Sequence, residues 1–174
     1  MQITIENVQA LNPCRSRFEN FTKEYPGFDG SHPMFLSLEK ITYSDKVWVM
    51  TRLMSHEQNS LWAAACAESV LHLTREQDRG ACRAAIDAVR KYINGKITRD
   101  ELIAVIQGNA ADYATDAAVN TAAAAAANTA YAAAANTAYA ANATYAVAAA
   151  AVAAVDKEKQ QQICLDLMME ILNY

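Results

Sequence analysis

The sequence predicts an all-α protein: a helical bundle with a long alanine-rich helix or helical hairpin, preceded by a short irregular N-terminal region. Residues 117–155 hold no charged side chain, and 24 of these 39 residues are alanine, which has the highest intrinsic helix propensity. Apolar side chains recur at helical spacing from Ser55 onward. All three prolines, in contrast, lie within the first 33 residues, where they interrupt regular structure.

The length of the chain sets its domain organisation. A chain of 174 residues is long enough to bury one full hydrophobic core, so we expect one domain overall. Within it, residues 1–54 are expected to form an irregular region with short helices, and residues 55–174 an alanine-rich helical bundle.

The N-terminal region contains short candidate elements. Residues 3–5 alternate in polarity like a short strand, and residues 15–21 predict one or two helical turns with their phenylalanines inward. His32 is expected in a loop because Pro33 follows it. Residues 46–54 are apolar and favour a helix over a strand, with Trp48 in the core.

Several helices are predicted after Ser55. Ser55 with Gln58, and Thr98 with Glu101, have the spacing of a capping box, which marks helix N-termini. The first of these helices ends near Thr74 and carries Trp62, which is expected in the core. Glycines at positions 95 and 108 are expected to end the next two helices. The last helix carries its apolar face on Ile163, Leu165, Leu167, Met168, Ile171 and Leu172.

The alanine tract carries an eight-residue repeat of Asn-Thr pairs, at 120–121, 128–129 and 136–137. Eight residues advance a helix by about 80° beyond two turns, so the repeat spirals around the helix. A continuous helix over the tract would be about 58 Å long, against a diameter of roughly 40 Å for a compact domain of this size. The tract is therefore expected to break, to protrude or to lie in an oligomer.

Charge and composition disfavour several classes of protein. A net charge of −4 does not provide the basic face that nucleic-acid binding normally needs. Alanine is only weakly apolar, and Asn and Thr recur through the tract, so no membrane span is expected. The first residues lack the basic start and apolar run of a signal peptide. We therefore expect a cytoplasmic protein.

No pattern of catalytic or metal-binding residues stands out. The four cysteines form no CxxC or CxxH pair, which disfavours a zinc site and indicates reduced, apolar cysteines. Asp112 and Asp116 fit a helix N-terminus better than an acid–base pair. A basic cluster is interleaved with acidic residues and is interpreted as a solvated face; it comprises Arg75, Arg79, Arg83, Arg90 and Lys91. We expect no catalytic residue, no metal and no cofactor.

Tyrosines and asparagines of the alanine tract are the candidate partner-binding residues. Tyr and Asn are frequent contact residues in protein interfaces. Packing in the interior, with each tyrosine hydroxyl reaching a polar neighbour, is the alternative interpretation. The candidates are Tyr131, Tyr139, Tyr145, Asn128 and Asn136.

Two segments of the sequence carry a resemblance to a known family. The run from Trp62 to Glu68 reads W-A-x-x-C-A-E, and the run from Ala85 to Arg90 reads A-I-x-A-x-R, ahead of Gly-Lys at 95–96. This order, followed by an alanine-rich tract, resembles the alanine-rich putative immunity protein family of bacteria and their phages. The resemblance covers most of the chain. It implies a small protein that binds and neutralises another protein, and it supplies no catalytic residues.

We therefore predict a non-enzymatic inhibitor that binds a toxin or a defence effector and acts by steric occlusion. It would be an immunity protein, or a phage anti-defence protein of the anti-CRISPR type. An ice-binding protein and a self-assembling helical structural protein are the alternatives, the latter as a homodimer through the alanine face. A flat ice-binding face needs residues that return to one side, as an 11-residue period gives, whereas an eight-residue period spirals.

Overall fold

A computed structural model describes residues 1–73, 76–110 and 157–173 of the chain. The chain divides into two compact units, Met1–Leu53 and Met54–Tyr174. The described residues are mostly helical and contain one two-stranded sheet, which confirms the all-α prediction. The elements in chain order are β1 (Gln2–Thr4), α1 (Ile5–Ala10), α2 (Arg15–Glu24), β2 (Asp29–Ser31), α3 (His32–Leu36), α4 (Tyr43–Leu53), α5 (His56–Ser69), a 3₁₀ turn (Leu71–Leu73), α6 (Glu76–Ile93), α7 (Arg99–Ala110) and α8 (Lys157–Leu172).

The first unit begins with a short antiparallel sheet. Strands β1 and β2 pair with Gln2 opposite Ser31 and Thr4 opposite Asp29, and the side chain of Ile3 is fully buried. Thr4 ends the strand because its Oγ1 accepts a hydrogen bond of 3.2 Å from the backbone N–H of Asn7, which caps α1. The predicted strand is thus shifted by one residue, and Ile5 belongs to α1.

Aromatic rings fill the core of the first unit. Phe21 makes edge-on contacts with Phe28 and Phe35, at centroid distances of 5.7 and 5.9 Å. Such edge-to-face pairs stabilise a core beyond the area that they bury. Phe21 points inward as predicted, whereas Phe18 is only half-buried.

Of three further predictions for the first unit, one was right and two were wrong. The segment predicted as a helix over 46–54 lies in α4 except for its last residue, Met54. Trp48 is only half-buried, because it supports the guanidinium of Arg52, 4.1 Å from the ring centroid. His32 is not in a loop but is the first residue of α3, because Pro33 is well tolerated in the first turn of a helix. Its side chain is buried.

Helix α5 is central to the second unit, where α6 and α8 both pack against it. Its N-terminus has the predicted capping box: Ser55 Oγ accepts from the Gln58 backbone at 3.1 Å, and Gln58 Oε1 accepts from the Ser55 backbone at 2.9 Å. Most of its circumference is buried, and its alanines allow neighbouring helices to approach closely. The buried positions are Asn59, Ser60, Trp62, Ala63, Ala64, Cys66 and Ala67.

The ends of α6 and α7 show which of the predicted helix starts and stops are correct. Gly95 adopts φ 65° and ends α6 as predicted, with Lys96 N–H donating to Lys91 O at 2.8 Å in the pattern of a Schellman motif. Thr98 and Glu101 form the predicted capping box of α7. The predicted stop at Gly108 was wrong, because α7 continues to Ala110. A glycine inside a helix costs about 1 kcal/mol relative to alanine and does not by itself break the helix.

Hydrogen bonds in the interior join α8 to α5. The indole Nε1 of the fully buried Trp62 donates to the carbonyl oxygen of Cys164 at 2.8 Å. Gln160 Nε2 donates to Ser69 Oγ at 2.7 Å, and Ser69 Oγ in turn donates to Cys66 O at 2.7 Å. The buried polar groups of this contact therefore satisfy one another, as low-dielectric surroundings require.

The apolar face predicted for the last helix was only partly right. Leu165 and Met168 are buried, but so are Gln160 and Cys164, which occupy the centre of the contact with α5. The other apolar residues of the prediction are half-buried. The hydrogen bond from Gln160 to Ser69 of α5 explains why a polar side chain lies in this position.

We predict that Trp62→Phe will lower the free energy of unfolding by about 1–3 kcal/mol, because the Cys164 carbonyl loses a buried donor. Urea denaturation followed by circular dichroism measures the change. Trp48→Phe is the matched control, since Trp48 is half-exposed, and its effect should be clearly smaller. An equal loss in both variants would contradict the structural role given to the Trp62 indole.

We also predict that only one cysteine reacts quickly in the folded protein. Cys14 is exposed, whereas Cys66, Cys82 and Cys164 are buried, and burial raises the pKa of the Cys66 thiol. Ellman's reagent should therefore titrate one thiol per native chain and all four after denaturation. Rapid reaction of two or more thiols in the native protein would refute the packing of α5, α6 and α8 described above.

Candidate functional site

Between Gln58 and Glu68, helix α5 leaves one narrow stripe of its surface unburied. The stripe consists of Gln58, Leu61, Ala65 and Glu68, which recur at intervals of three and four residues and so share one face. Leu61 and Ala65 are half-buried, so apolar surface remains accessible there. Because α6 and α8 both pack against α5, this stripe forms the floor of a groove in the second unit.

The groove has a volume of about 660 Å³. Its walls come from both flanking helices, with Arg90 on α6 and with Glu170 and Ile171 on α8. An apolar floor edged by a few polar side chains is typical of binding sites. The lining residues are Ser55, Glu57, Gln58, Leu61, Ala65, Arg90, Glu170 and Ile171.

An ion pair closes one side of the groove. Arg90 donates through both terminal nitrogens to the carboxylate of Glu68, with Nη1 lying 3.4 Å from Oε1, and Asp87 Oδ1 is 4.0 Å from Nη1. The hydrogen bond from Arg90 lowers the pKa of Glu68, and the same bond raises the pKa of Arg90. Both groups are therefore charged at neutral pH, and the positive charge of Arg90 is neutralised locally.

Two further carboxylates line the groove, and they differ from Glu68. Within the described residues, neither Glu57 nor Glu170 has a hydrogen-bond or ion-pair partner for its side chain. Glu57 lies in the first turn of α5, where the helix dipole stabilises a carboxylate. Glu170 lies in the last turn of α8, where the dipole disfavours a carboxylate by roughly 0.3–1 kcal/mol. The helix dipole therefore accounts for a carboxylate at position 57 but not for one at position 170.

A second, smaller cavity lies in the first unit. It has a volume of about 30 Å³, enough for a single water molecule, and is lined by Phe18, Phe21, Trp48 and neighbouring residues. The ion pair of Arg17 with Asp45, at 2.8 Å, contributes its polar edge. It is too small for a side chain of a partner, so the groove on α5 is the candidate site.

The predicted contact residues Tyr131, Tyr139, Tyr145, Asn128 and Asn136 lie outside the described residues, as do Asp112 and Asp116. Their roles stay predictions. Arg90, which the sequence places on a solvated basic face, is instead ion-paired and lines the groove.

Reasoning from the sequence missed the groove residues Glu57, Leu61 and Glu170. No motif marks them, and they come together only because α8 packs on α5. A search of the described residues for His, Cys, Asp and Glu clusters that could hold a metal ion finds none. Among the helices described here, none is long and apolar enough to cross a membrane.

We predict that the Glu68–Arg90 pair makes the folding stability fall as the pH is lowered. The pKa of Glu68 in the folded state lies below its ordinary value of 4.5, so its stabilisation is present above that pH and is lost as the pH falls through the folded value. Glu68→Gln and Arg90→Gln should each flatten the fall in melting temperature between about pH 5 and about pH 3.

The double variant is the control for this prediction. If the two side chains act through one another, Glu68→Gln combined with Arg90→Gln should flatten the acid limb no more than either substitution alone. Additive effects would show that the pair contributes nothing as a pair, as is common for exposed ion pairs.

Comparison with known proteins places the groove within a family. A family model described as "Imm-5 like putative immunity protein" matches residues 50–170, more than half of the chain. The match includes α5, α6 and α7 and all but the last two residues of α8. Searches of curated proteins and of solved structures found no match. The chain therefore belongs to the family of Imm-5 like putative immunity proteins.

Proposed function

We propose that this protein is an immunity protein that binds a protein toxin through the groove on α5 and neutralises it without catalysis, by steric occlusion. The supporting observation is the position of the groove: its floor and both walls fall in the family-matched segment, except for Ile171 at the very end. A cytoplasmic location in the cell that makes the toxin fits this role and is part of the proposal.

The build of the groove supports binding rather than chemistry. Leu61, Ala65 and Ile171 contribute apolar surface to its lining, and the other lining residues are polar or charged. Interfaces commonly have this arrangement, in which a small apolar centre carries most of the affinity and a polar rim excludes water. Among the described residues that line the groove there is no histidine, cysteine or serine–base pair that would indicate a nucleophile.

The groove is preformed, which favours tight binding. The capping box at Ser55 fixes the start of α5, and the hydrogen bond of Trp62 fixes α8 against it. A rigid surface loses less conformational entropy when a partner binds, so more of the contact energy appears as affinity. The proposed contacts on Tyr131 and its neighbours in the alanine tract would enlarge this surface.

The target is to be identified by affinity capture, followed by a growth assay of cells that express each captured protein. The tagged protein is used to capture proteins from cells of its source, and each captured protein is expressed alone and together with the immunity protein. A captured protein that arrests growth alone and not in co-expression is the toxin. If the captured protein is instead a component of a defence system, the protein is of the anti-defence type. Light scattering of the complex gives its stoichiometry, and light scattering of the protein alone shows whether it forms a homodimer.

We predict that Ala65→Lys will weaken toxin binding by at least about tenfold, because a long side chain then fills the floor of the groove. Ala84→Lys is the matched control: it introduces the same side chain at an exposed position of α6, outside the groove. Titration calorimetry measures both affinities. Full affinity and full protection of growth by the Ala65→Lys variant would exclude the groove as the interface.

A further inference from the structure

We propose that the groove receives a basic side chain, lysine or arginine, from a segment of the partner protein. The aliphatic stem of that side chain lies on Leu61 and Ala65, and its charged head lies between Glu57 and Glu170. This inference rests on the proposed function, because it names the chemistry of the partner surface that the groove binds.

The charges that line the groove do not cancel. Of its three ionic side chains, Arg90 is already neutralised by Glu68, whereas Glu57 and Glu170 have no partner among the described residues. Glu57 lies eleven residues before Glu68 on α5, about 16 Å along the helix axis. At physiological salt a charge beside Glu68, where the Arg90 guanidinium is held, is largely screened over that distance. The part of the groove around Glu57 and Glu170 is therefore acidic.

The position of Glu170 gives an independent reason to expect a cationic partner. A carboxylate in the last turn of α8 opposes the helix dipole, and within the described residues nothing in the protein compensates for it. Glu57, at the start of α5, is favoured by the opposite end of a dipole. The two carboxylates line the same groove although they lie at opposite kinds of helix terminus. A cation bound between them would compensate for both.

The apolar floor selects the kind of cation. Lysine and arginine side chains carry a long aliphatic stem below the charged head, and they commonly place the stem on apolar surface. Leu61, Ala65 and Ile171 provide such a surface beside the two carboxylates. An acidic segment would be repelled, and a purely apolar segment would bury Glu57 and Glu170 without compensating their charge. Nucleic acid is excluded because its phosphates would face the same two carboxylates.

The test uses two peptides of the same length, acetyl-Ala-Lys-Leu-Lys-Ala-amide and acetyl-Ala-Glu-Leu-Glu-Ala-amide. Each is titrated into the ¹⁵N-labelled full chain, and chemical shifts of the backbone amides are followed by NMR. We expect the lysine peptide to shift amides of residues 57–65 and 170–171, with an affinity that falls steeply as salt is added. The glutamate peptide should leave these amides unshifted.

Matched variants separate the groove from the general negative charge of the protein. Glu57→Gln with Glu170→Gln should weaken binding of the lysine peptide by about tenfold. Glu39→Gln with Glu76→Gln removes the same two charges from exposed positions outside the groove and should leave the affinity unchanged. Equal weakening in both double variants, or shifts spread over the whole surface, would overturn the inference.

The outcomes distinguish this inference from the proposed function. A toxin that the Glu57→Gln, Glu170→Gln variant binds and neutralises as well as the unaltered protein does would leave the immunity function standing and would refute a basic anchor. Conversely, peptide binding in the groove without any captured protein that arrests growth would support the basic-side-chain site and would count against the immunity function.

Discussion

The hydrogen bond from the Trp62 indole to the Cys164 carbonyl is the contact on which the second unit depends. It joins two helices across 102 residues of sequence, in surroundings from which water is excluded. An indole N–H that is buried without an acceptor would be costly, so α8 must lie with its Cys164 carbonyl at this point. The position of α8 in turn sets one wall of the groove, because Glu170 and Ile171 lie less than two turns farther along the same helix.

The small side chains of α5 make this arrangement possible. Alanine adds little volume, so two helices can pack against α5 at close range while its large residue, Trp62, is fully buried. Burial of most of the helix leaves its two ends and the stripe from Gln58 to Glu68 in contact with solvent. A surface that is held from behind on two sides moves little when it is bound, and this rigidity is what a binding protein requires.

Features that depend on neighbouring residues in the sequence were predictable, and features that depend on distant residues were not. The capping boxes at Ser55 and Thr98 and the stop at Gly95 could be predicted, because each is a local hydrogen-bond pattern with a fixed spacing. The groove could not be predicted, because Glu57 and Glu170 are far apart in sequence and are joined only by helix packing. In α5 the alanines also hide the helical period, since they are equally suited to buried and exposed positions.

The stripe on α5 also bears on how such a protein can change its partner. Leu61 and Ala65, the two middle positions of the stripe, are only half-buried, so substitutions there disturb the packing of α6 and α8 less than substitutions of buried residues would. Buried residues of the helix, such as Trp62 and Cys66, are fixed by the contacts that they make. In the proposed complex, recognition and folding are thus assigned to different residues of one helix. New specificities can arise on this scaffold by exchanging a few side chains while the fold is inherited unchanged.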